Sequence, residues 1–188
     1  MKFTKFFAFA LGLVSFFSCG PKQTETAGDL PVALQLYTVR DDMGADFLGT
    51  LQKVKEMGYD GVEFAGLFGH EPKQVNEWCE SVGLVPISAH VPFDEMVNDI
   101  DKVIADYKTV GCEYIVVPYV SEECHPDGAN FLQMVKDIRT WGEKANAAGL
   151  TLLYHNHDFE FKKFENGQVG LDYMYENIPA DLLQTELD

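Results

Sequence analysis

The chain has 188 residues, of which 46% are hydrophobic, and 30 acidic against 14 basic residues give a formal net charge of -16 at pH 7. The length and the apolar content suffice for one domain with its own core. The negative charge disfavours non-specific binding to nucleic acid and attachment to anionic lipid through a basic patch. We therefore expect a small neutral or cationic substrate, or one whose anionic groups meet a metal.

The first segment of the chain is predicted to direct export and not to join the fold. A lysine-containing start leads into 12 mostly apolar residues, 6–17, which are too few to cross a bilayer but typical of a signal peptide. Because Cys19 follows, we predict a lipoprotein signal peptide over 1–18, lipidation of Cys19 and a flexible linker over 20–30. The protein would lie in the cell envelope, periplasmic or at the outer membrane, with the lipid anchor as its membrane contact. A plain secretory signal is the alternative.

The remainder of the chain alternates between strand and helix patterns. Short apolar runs predict six strands, over residues 32–39, 61–65, 85–91, 114–120, 150–154 and 182–188. Apolar residues at helical spacing predict five helices, over residues 46–57, 71–82, 94–110, 129–148 and 171–177. The apolar stripe predicted for helix 94–110 consists of Met96, Val97, Ile100, Val103, Ile104 and Tyr107. Alternating apolar residues around Asn166-Gly167 predict a hairpin over 159–169.

This uniform alternation predicts an α/β fold of the (β/α) TIM-barrel type over residues 31–188. The active site of such a barrel lies at the carboxyl ends of its strands. A complete barrel has eight strands and about 250 residues, so we expect an incomplete barrel with about six of the eight strands. A doubly wound open sheet is the alternative, but no strand is followed by a glycine-rich phosphate-binding loop.

Three cysteines beyond the leader, Cys79, Cys112 and Cys124, are predicted to be free thiols. Their number is odd, no pair has C-x-x-C spacing, and a chain of this length does not need disulfides to fold. The neighbouring pair Cys124-His125 is too little to indicate a zinc site, and we assign it to a polar loop over 121–128.

The predicted strand 150–154 ends in His155, Asn156 and His157. Residues two apart on a strand point to the same side, so the two imidazoles are expected to share one face. Two imidazoles on one face are typical of a clamp for a metal or a substrate.

Other predicted strands also end in polar residues. These residues are Gln35, Tyr37, Glu63, His90, Glu186 and Asp188. A purely structural role, as a hydrogen-bonded carboxylate in the core, would explain one such residue. It explains poorly why several strands end in polar residues. His90 could instead be a structural imidazole, and Glu63 could pair with a neighbouring barrel residue.

Five segments carry a family resemblance: L-Q-L-Y-T-V-R-D-D, M-G-Y-D-G-V-E-F, A-H-V-P-F, Y-H-N-H-D-F-E-F and the terminal E-L-D. In combination they resemble the sugar phosphate isomerase/epimerase group, whose barrel is the xylose-isomerase-like version of the fold. The likeness extends from about residue 31 to the end of the chain. With six strand–helix units present, the chain is expected to be a truncated piece that is inactive by itself.

The resemblance implies a divalent metal (Mn, Mg, Co or Zn) held by acidic and histidine ligands from the later strands. It carries over Asp188 as a ligand, together with His155, which stands where the group commonly has Glu. Because imidazole cannot serve as a carboxylate base, acid–base catalysis is assigned to Glu186, His157 or Glu63. The residues expected to bind the substrate are Gln35, Tyr37, His90 and Asn156.

Together, these expectations predict that the protein is a divalent-metal-dependent isomerase or epimerase of a sugar or keto-sugar and that the reaction passes through an enediolate. The alternatives are a lyase or hydrolase of a keto-glycoside and a non-catalytic sugar-binding lipoprotein. An endonuclease on the same barrel is disfavoured because the sequence is acidic and encodes no basic groove. The expected partner is a small carbohydrate and not a nucleic acid, and a homo-oligomer is compatible with the sequence.

Overall fold

The computed structural model describes residues 30–188, so the predicted signal peptide and Cys19 lie outside the described residues. Within this part of the chain, six strands form one sheet whose spatial order follows the sequence. The strands are β1 (Ala33–Gln35), β2 (Gly61–Phe64), β3 (Val85–His90), β4 (Tyr114–Val117), β5 (Thr151–His155) and β6 (Gln184–Glu186). The helices are α1 (Arg40–Ala45), α2 (Phe47–Glu56), α3 (Pro72–Val82), α4 (Phe93–Val110), α5 (Phe131–Ala148) and α6 (Gly170–Asn177).

All five strand pairings in the sheet are parallel, and at least one α-helix lies between each strand and the next along the chain. A strand order that follows the sequence, with a helical crossover between neighbours, curls the sheet in one direction. The result is a half-barrel of six parallel strands, which confirms the prediction of an incomplete TIM-type barrel. Parallel strands also bring their carboxyl ends to one edge, where the site lies.

The core lies between the sheet and its helices. In β4, Ile115, Val116 and Val117 are all buried, as expected for a strand covered on both faces. Among residues 30–188, no helix is long and apolar enough to cross a membrane.

Helix α4 differs from its prediction because it is interrupted at Asp99. This residue has extended backbone angles, and its carboxylate accepts a hydrogen bond from the backbone N–H of Lys102 at 3.0 Å. The side chain thus caps a new helical segment inside the element. The other five residues of the predicted stripe are buried, but Val97, two residues before the interruption, is 58% exposed.

The first predicted strand is too long. β1 ends at Gln35, and residues 36–39 form a 3-10 helix that leads into α1, which the sequence pattern did not reveal. The side-chain oxygen of Gln35 accepts a hydrogen bond from the backbone N–H of Tyr37 at 2.5 Å. Such a local side-chain-to-backbone bond competes with the strand ladder and ends it.

The predicted hairpin over 159–169 is present only in part. Its turn forms as expected at Gly167, which has a φ of 86°. A single antiparallel bridge, between Lys163 and Val169, joins the two arms, while Phe159–Phe161 form a 3-10 helix. Because the first arm bends away immediately after β5, a ladder cannot extend toward the site.

Candidate functional site

Four side chains meet at the carboxyl edge of the sheet, and we call them the polar cluster: Glu63, His90, His155 and Glu186. One oxygen of Glu186 lies 2.7 Å from His90 Nε2 and 2.8 Å from His155 Nδ1. The same His90 nitrogen lies 3.1 Å from Glu63 Oε1. A single carboxylate therefore joins two imidazoles, and a second carboxylate flanks one of them.

The strand register and the curl of the sheet together explain why these residues meet. His155 and Glu186 are paired directly across β5 and β6, so their side chains leave the sheet on the same side. Glu63 is paired with Gln35 in β1 and with Ser88 in β3. His90 on β3 and Glu186 on β6 are not on neighbouring strands, and the curl of the sheet brings their side chains together.

Two further residues orient the polar cluster. Gln35 donates from its amide nitrogen to His90 Nδ1 at 3.2 Å, and Ser88 donates from its hydroxyl to Glu63 Oε2 at 2.5 Å. Ser88 was not among the predicted site residues. Its position two residues before His90 on β3 is the signal that could have identified it, because such residues share a face.

The charges in the cluster stabilise one another. Burial by itself would lower the pKa of His90, but hydrogen bonds and charge attraction from Glu186 and Glu63 raise that pKa to about 9. Burial likewise acts to raise the pKa of Glu186, and the bonds to His90 and His155 bring it below its usual value. Both shifts favour an imidazolium beside a carboxylate.

His157 is adjacent to the polar cluster but outside the strand. β5 ends at His155, so the expected shared strand face does not extend to His157. The two imidazole rings nevertheless lie 5.0 Å apart. The buried Glu160, to which the sequence analysis assigned no role, accepts bonds from the Tyr154 hydroxyl at 2.9 Å and from the backbone N–H of His157 at 2.8 Å. It therefore holds the loop in place.

Asp188 lies at the rim of the cluster, with its Oδ2 3.7 Å from His155 Nε2. The Asn156 amide exchanges two hydrogen bonds with the backbone of Asp188, at 3.3 and 3.4 Å. Asn156 is 4% exposed, so its amide positions the segment after β6 and is not open to a substrate in this arrangement.

Tyr37 is not part of the site. Because the 3-10 helix follows Gln35, the Tyr37 side chain leaves the sheet, is 60% exposed and lies 4.3 Å from the guanidinium of Arg40. The sequence analysis placed it beside Gln35 because it assumed that the strand continued.

The polar cluster has the donors that a divalent cation requires. One ligand atom from each of His90, His155 and Glu186 lies within 4.8 Å of the others, and no other such group occurs among residues 30–188. Two imidazole nitrogens and a carboxylate oxygen suit zinc, manganese or cobalt. The residues present therefore fit a divalent metal.

The sequence matches no protein-family model and no curated protein sequence. Solved structures do match. A sugar phosphate isomerase/epimerase from Parabacteroides distasonis ATCC 8503 is 22% identical, with a TM-score of 0.68 over 88% of this chain and 67% of that one. The chain has a xylose-isomerase-like TIM-barrel fold.

Two other barrels extend the comparison. A xylose isomerase-like TIM barrel protein from Mycobacterium smegmatis, solved in complex with magnesium, is 13% identical, with a TM-score of 0.63 over 87% of this chain and 66% of that one. An AP endonuclease, family 2, from Brucella melitensis is 14% identical, with a TM-score of 0.66 over 85% and 69%. The chain thus spans about two thirds of each of these barrels. In this fold, the polar cluster occupies the edge where barrel active sites lie.

Proposed function

We propose that this protein is a divalent-metal-dependent isomerase or epimerase of a sugar or keto-sugar. The observation that carries the proposal is the convergence of two imidazoles and two carboxylates, from four strands, at the carboxyl edge of the barrel. The likeness to a sugar phosphate isomerase/epimerase supports the same class of reaction.

The metal would be held by His155 and Glu186, with His90 within reach and Asp188 at the rim. When bound, a divalent cation lowers the free energy of an enediolate by drawing charge from its oxygens. This ligand set includes the predicted His155 and Asp188, and it gives Glu186 a second role beside the acid–base role predicted from the sequence.

Glu63 is the base that the geometry favours. Ser88 and His90 hold its two oxygens in place, and the carboxylate belongs to no metal-ligand group. It would take the proton from the carbon next to the sugar carbonyl, leaving the electron pair in an enediolate. Return of the proton to the neighbouring carbon gives the isomer, whereas the epimer requires a second group to deliver a proton to the opposite face of the same carbon. His157 is the alternative acid–base group.

Proton exchange tests the activity directly. The full-length gene product is incubated with a ketose in D₂O, with and without a chelator, and deuterium incorporation next to the carbonyl is measured. Glu63→Gln is expected to slow exchange by roughly 10²- to 10⁴-fold, the usual contribution of a general base. Glu143→Gln, on the exposed surface of α5, is the matched control. Exchange that survives both the chelator and Glu63→Gln would contradict the proposal.

Two alternatives use the same barrel. In a keto-glycoside lyase or hydrolase, the enediolate expels a neighbouring glycosidic oxygen, and release of the second sugar identifies that reaction. A non-catalytic sugar-binding lipoprotein would bind the ketose without exchanging its proton. The likeness to an AP endonuclease extends to the fold, whereas the net charge of -16 argues against nucleic acid as a partner.

We also propose that the protein is a lipoprotein of the cell envelope, anchored through Cys19. The support is the lysine-containing, apolar leader that ends at this cysteine. Radiolabelled palmitate should enter the wild-type protein, and Cys19→Ser should abolish labelling and release the protein from membranes. Labelling that persists in Cys19→Ser would overturn the assignment.

A further inference from the structure

A cavity of about 440 Å³ lies between the loop after β4 and the loop after β5. Its walls are formed by Glu122, His125 and Asp127 on one side and by Asp158, Phe159 and Lys162 on the other. Both loops start from carboxyl ends of strands, so the cavity opens on the same face of the barrel as the polar cluster.

Aromatic rings connect the cavity with the polar cluster. Phe159, in the cavity wall, lies 5.2 Å from the His157 ring at an interplanar angle of 10°, and His157 lies 5.0 Å from His155. Tyr119 stands edge-on to both His157 and Phe159, at 5.5 and 5.7 Å, and is 54% exposed. An exposed ring between a polar site and a cavity offers a surface for the apolar face of a sugar.

The walls of the cavity are held together before any ligand binds. A Cβ added at Gly170 would lie 2.2 Å from Pro126 Cγ, so the loop after β4 packs against the start of α6 without a gap. Lys162 Nζ lies 3.1 Å from each carboxylate oxygen of Asp127 and links the loop after β5 to the loop after β4. His125 is 8% exposed and stacks on Phe159 at 3.8 Å, and its Nε2 has no hydrogen-bond partner among the described residues.

The charges of the cavity select its ligand. The hydrogen bond from Lys162 lowers the pKa of Asp127, so this carboxylate is ionised and the single ammonium is already paired. Glu122 and Asp158 add further negative charge. Carboxylates accept hydrogen bonds from hydroxyl groups but repel phosphate. The cavity therefore suits an uncharged, hydroxyl-rich group.

We propose that this cavity is a subsite for the second ring of a glycosidic substrate, whose first ring lies at the polar cluster. The inference rests on the proposed function and narrows it to a substrate with two uncharged sugar rings and no phosphate. In this arrangement Tyr119 packs against the sugar, and the glycosidic linkage lies beside His157.

The test is an NMR titration of the ¹⁵N-labelled protein in EDTA with glucose, cellobiose, maltose and glucose 6-phosphate. Amide shifts at Gly128 and Lys162 report on the cavity, and those at Asn156 and Glu186 report on the polar cluster. A disaccharide should move both groups of signals and bind at least tenfold more tightly than glucose or glucose 6-phosphate. Tyr119→Ala and Asp127→Asn should each weaken it at least threefold, while Tyr119→Phe, which keeps the ring, and Asp101→Asn, a surface partner of Lys144, should not.

The outcomes separate the two proposals. Shifts at the polar cluster without any at Gly128 and Lys162 would overturn the subsite and leave the isomerase proposal standing. Shifts at the cavity in a protein that shows no proton exchange would retain the subsite and overturn the isomerase. Tighter binding of glucose 6-phosphate than of both disaccharides, or no shift at the cavity with any of the four sugars, would also overturn the subsite.

Discussion

The side-chain amide of Gln35 has two roles: its oxygen ends strand β1, and its NH₂ group orients the imidazole of His90. Its oxygen accepts the backbone N–H of Tyr37, so its NH₂ group faces His90 Nδ1. A neutral His90 therefore has its proton on Nε2, directed at Glu63 and Glu186. A second proton on Nδ1 would place two donors face to face, so Gln35 opposes the upward pKa shift that the carboxylates produce.

This opposition predicts the effect of Gln35→Glu. The new carboxylate would accept from Nδ1–H, so the pKa of His90 is expected to rise above its value in the wild type. The measurement is an NMR titration of the His90 ring in EDTA, with Gln133→Glu on the surface of α5 as the control. A lower or unchanged pKa would show that the amide is not oriented in this way.

The same residues predict how the stability of the metal-free protein depends on pH. The raised pKa of His90 stabilises the fold fully below the unfolded value of about 6.5, and this contribution is lost as the pH rises through about 9. The lowered pKa of Glu186 acts above the unfolded value of about 4.3, and its contribution is lost as the pH falls. The free energy of unfolding, measured with urea, should therefore be greatest between about pH 4.3 and pH 6.5, where both contributions are complete.

The loss on the alkaline side is expected to be on the order of 1–3 kcal/mol. His90→Asn should flatten the dependence of the urea midpoint between pH 7 and pH 10. If the urea midpoint of this variant falls as steeply with pH as that of the wild type, another group is responsible for the loss of stability.

At the scale of elements, α5 determines where β6 lies. A Cβ added at Gly142 would be 2.2 Å from the backbone oxygen of Leu182, and Asn146 Nδ2 donates to the Asp181 oxygen at 2.8 Å. The close packing of helix backbone on the segment before β6 sets the position of Glu186, and hence the spacing of the polar cluster.

Gly142→Ala tests this dependence. Alanine favours the helix by about 1 kcal/mol, but overpacking against a backbone atom costs about 1–3 kcal/mol, so net destabilisation is expected. Mn²⁺ affinity, measured by calorimetry, should fall because Glu186 is displaced. Glu143→Ala, at the exposed next residue, should change neither the free energy of unfolding nor the free energy of Mn²⁺ binding by more than about 0.5 kcal/mol. Unchanged stability and metal affinity in Gly142→Ala would contradict the role of this contact.

At the scale of the whole molecule, the buried thiols report on unfolding. Cys79, Cys112 and Cys124 are free thiols, as predicted; all three are buried, and burial raises the pKa of both Cys79 and Cys112 to about 12. In a Cys19→Ser background, these thiols should react with DTNB at pH 8 only when the whole fold opens, and all three should react in guanidinium. Rapid reaction of Cys79 or Cys112 in the native protein would indicate local opening instead.

The sequence by itself determined the order and type of most elements, because their signals are local. Helices α3, α4 and α5 each end at a glycine with positive φ, and the buried strands are short apolar runs, so each signal lies within a few residues. The prediction was wrong where a side chain formed a hydrogen bond with the nearby backbone and interrupted the element that the apolar spacing predicted. Gln35 does this at the end of β1, and Asp99 does it within α4.

Only the tertiary structure decided how the site is assembled. Glu186 lies 96 residues from His90 and 31 from His155 along the chain, and the register of β5 with β6, the curl of the sheet and the packing of α5 bring its oxygen between the two imidazoles. The cavity beside Phe159 and the contact of α5 with Leu182 likewise depend on how loops and helices pack across the fold. Such contacts leave no periodic signal, since they arise from three-dimensional packing between segments that are distant in the sequence.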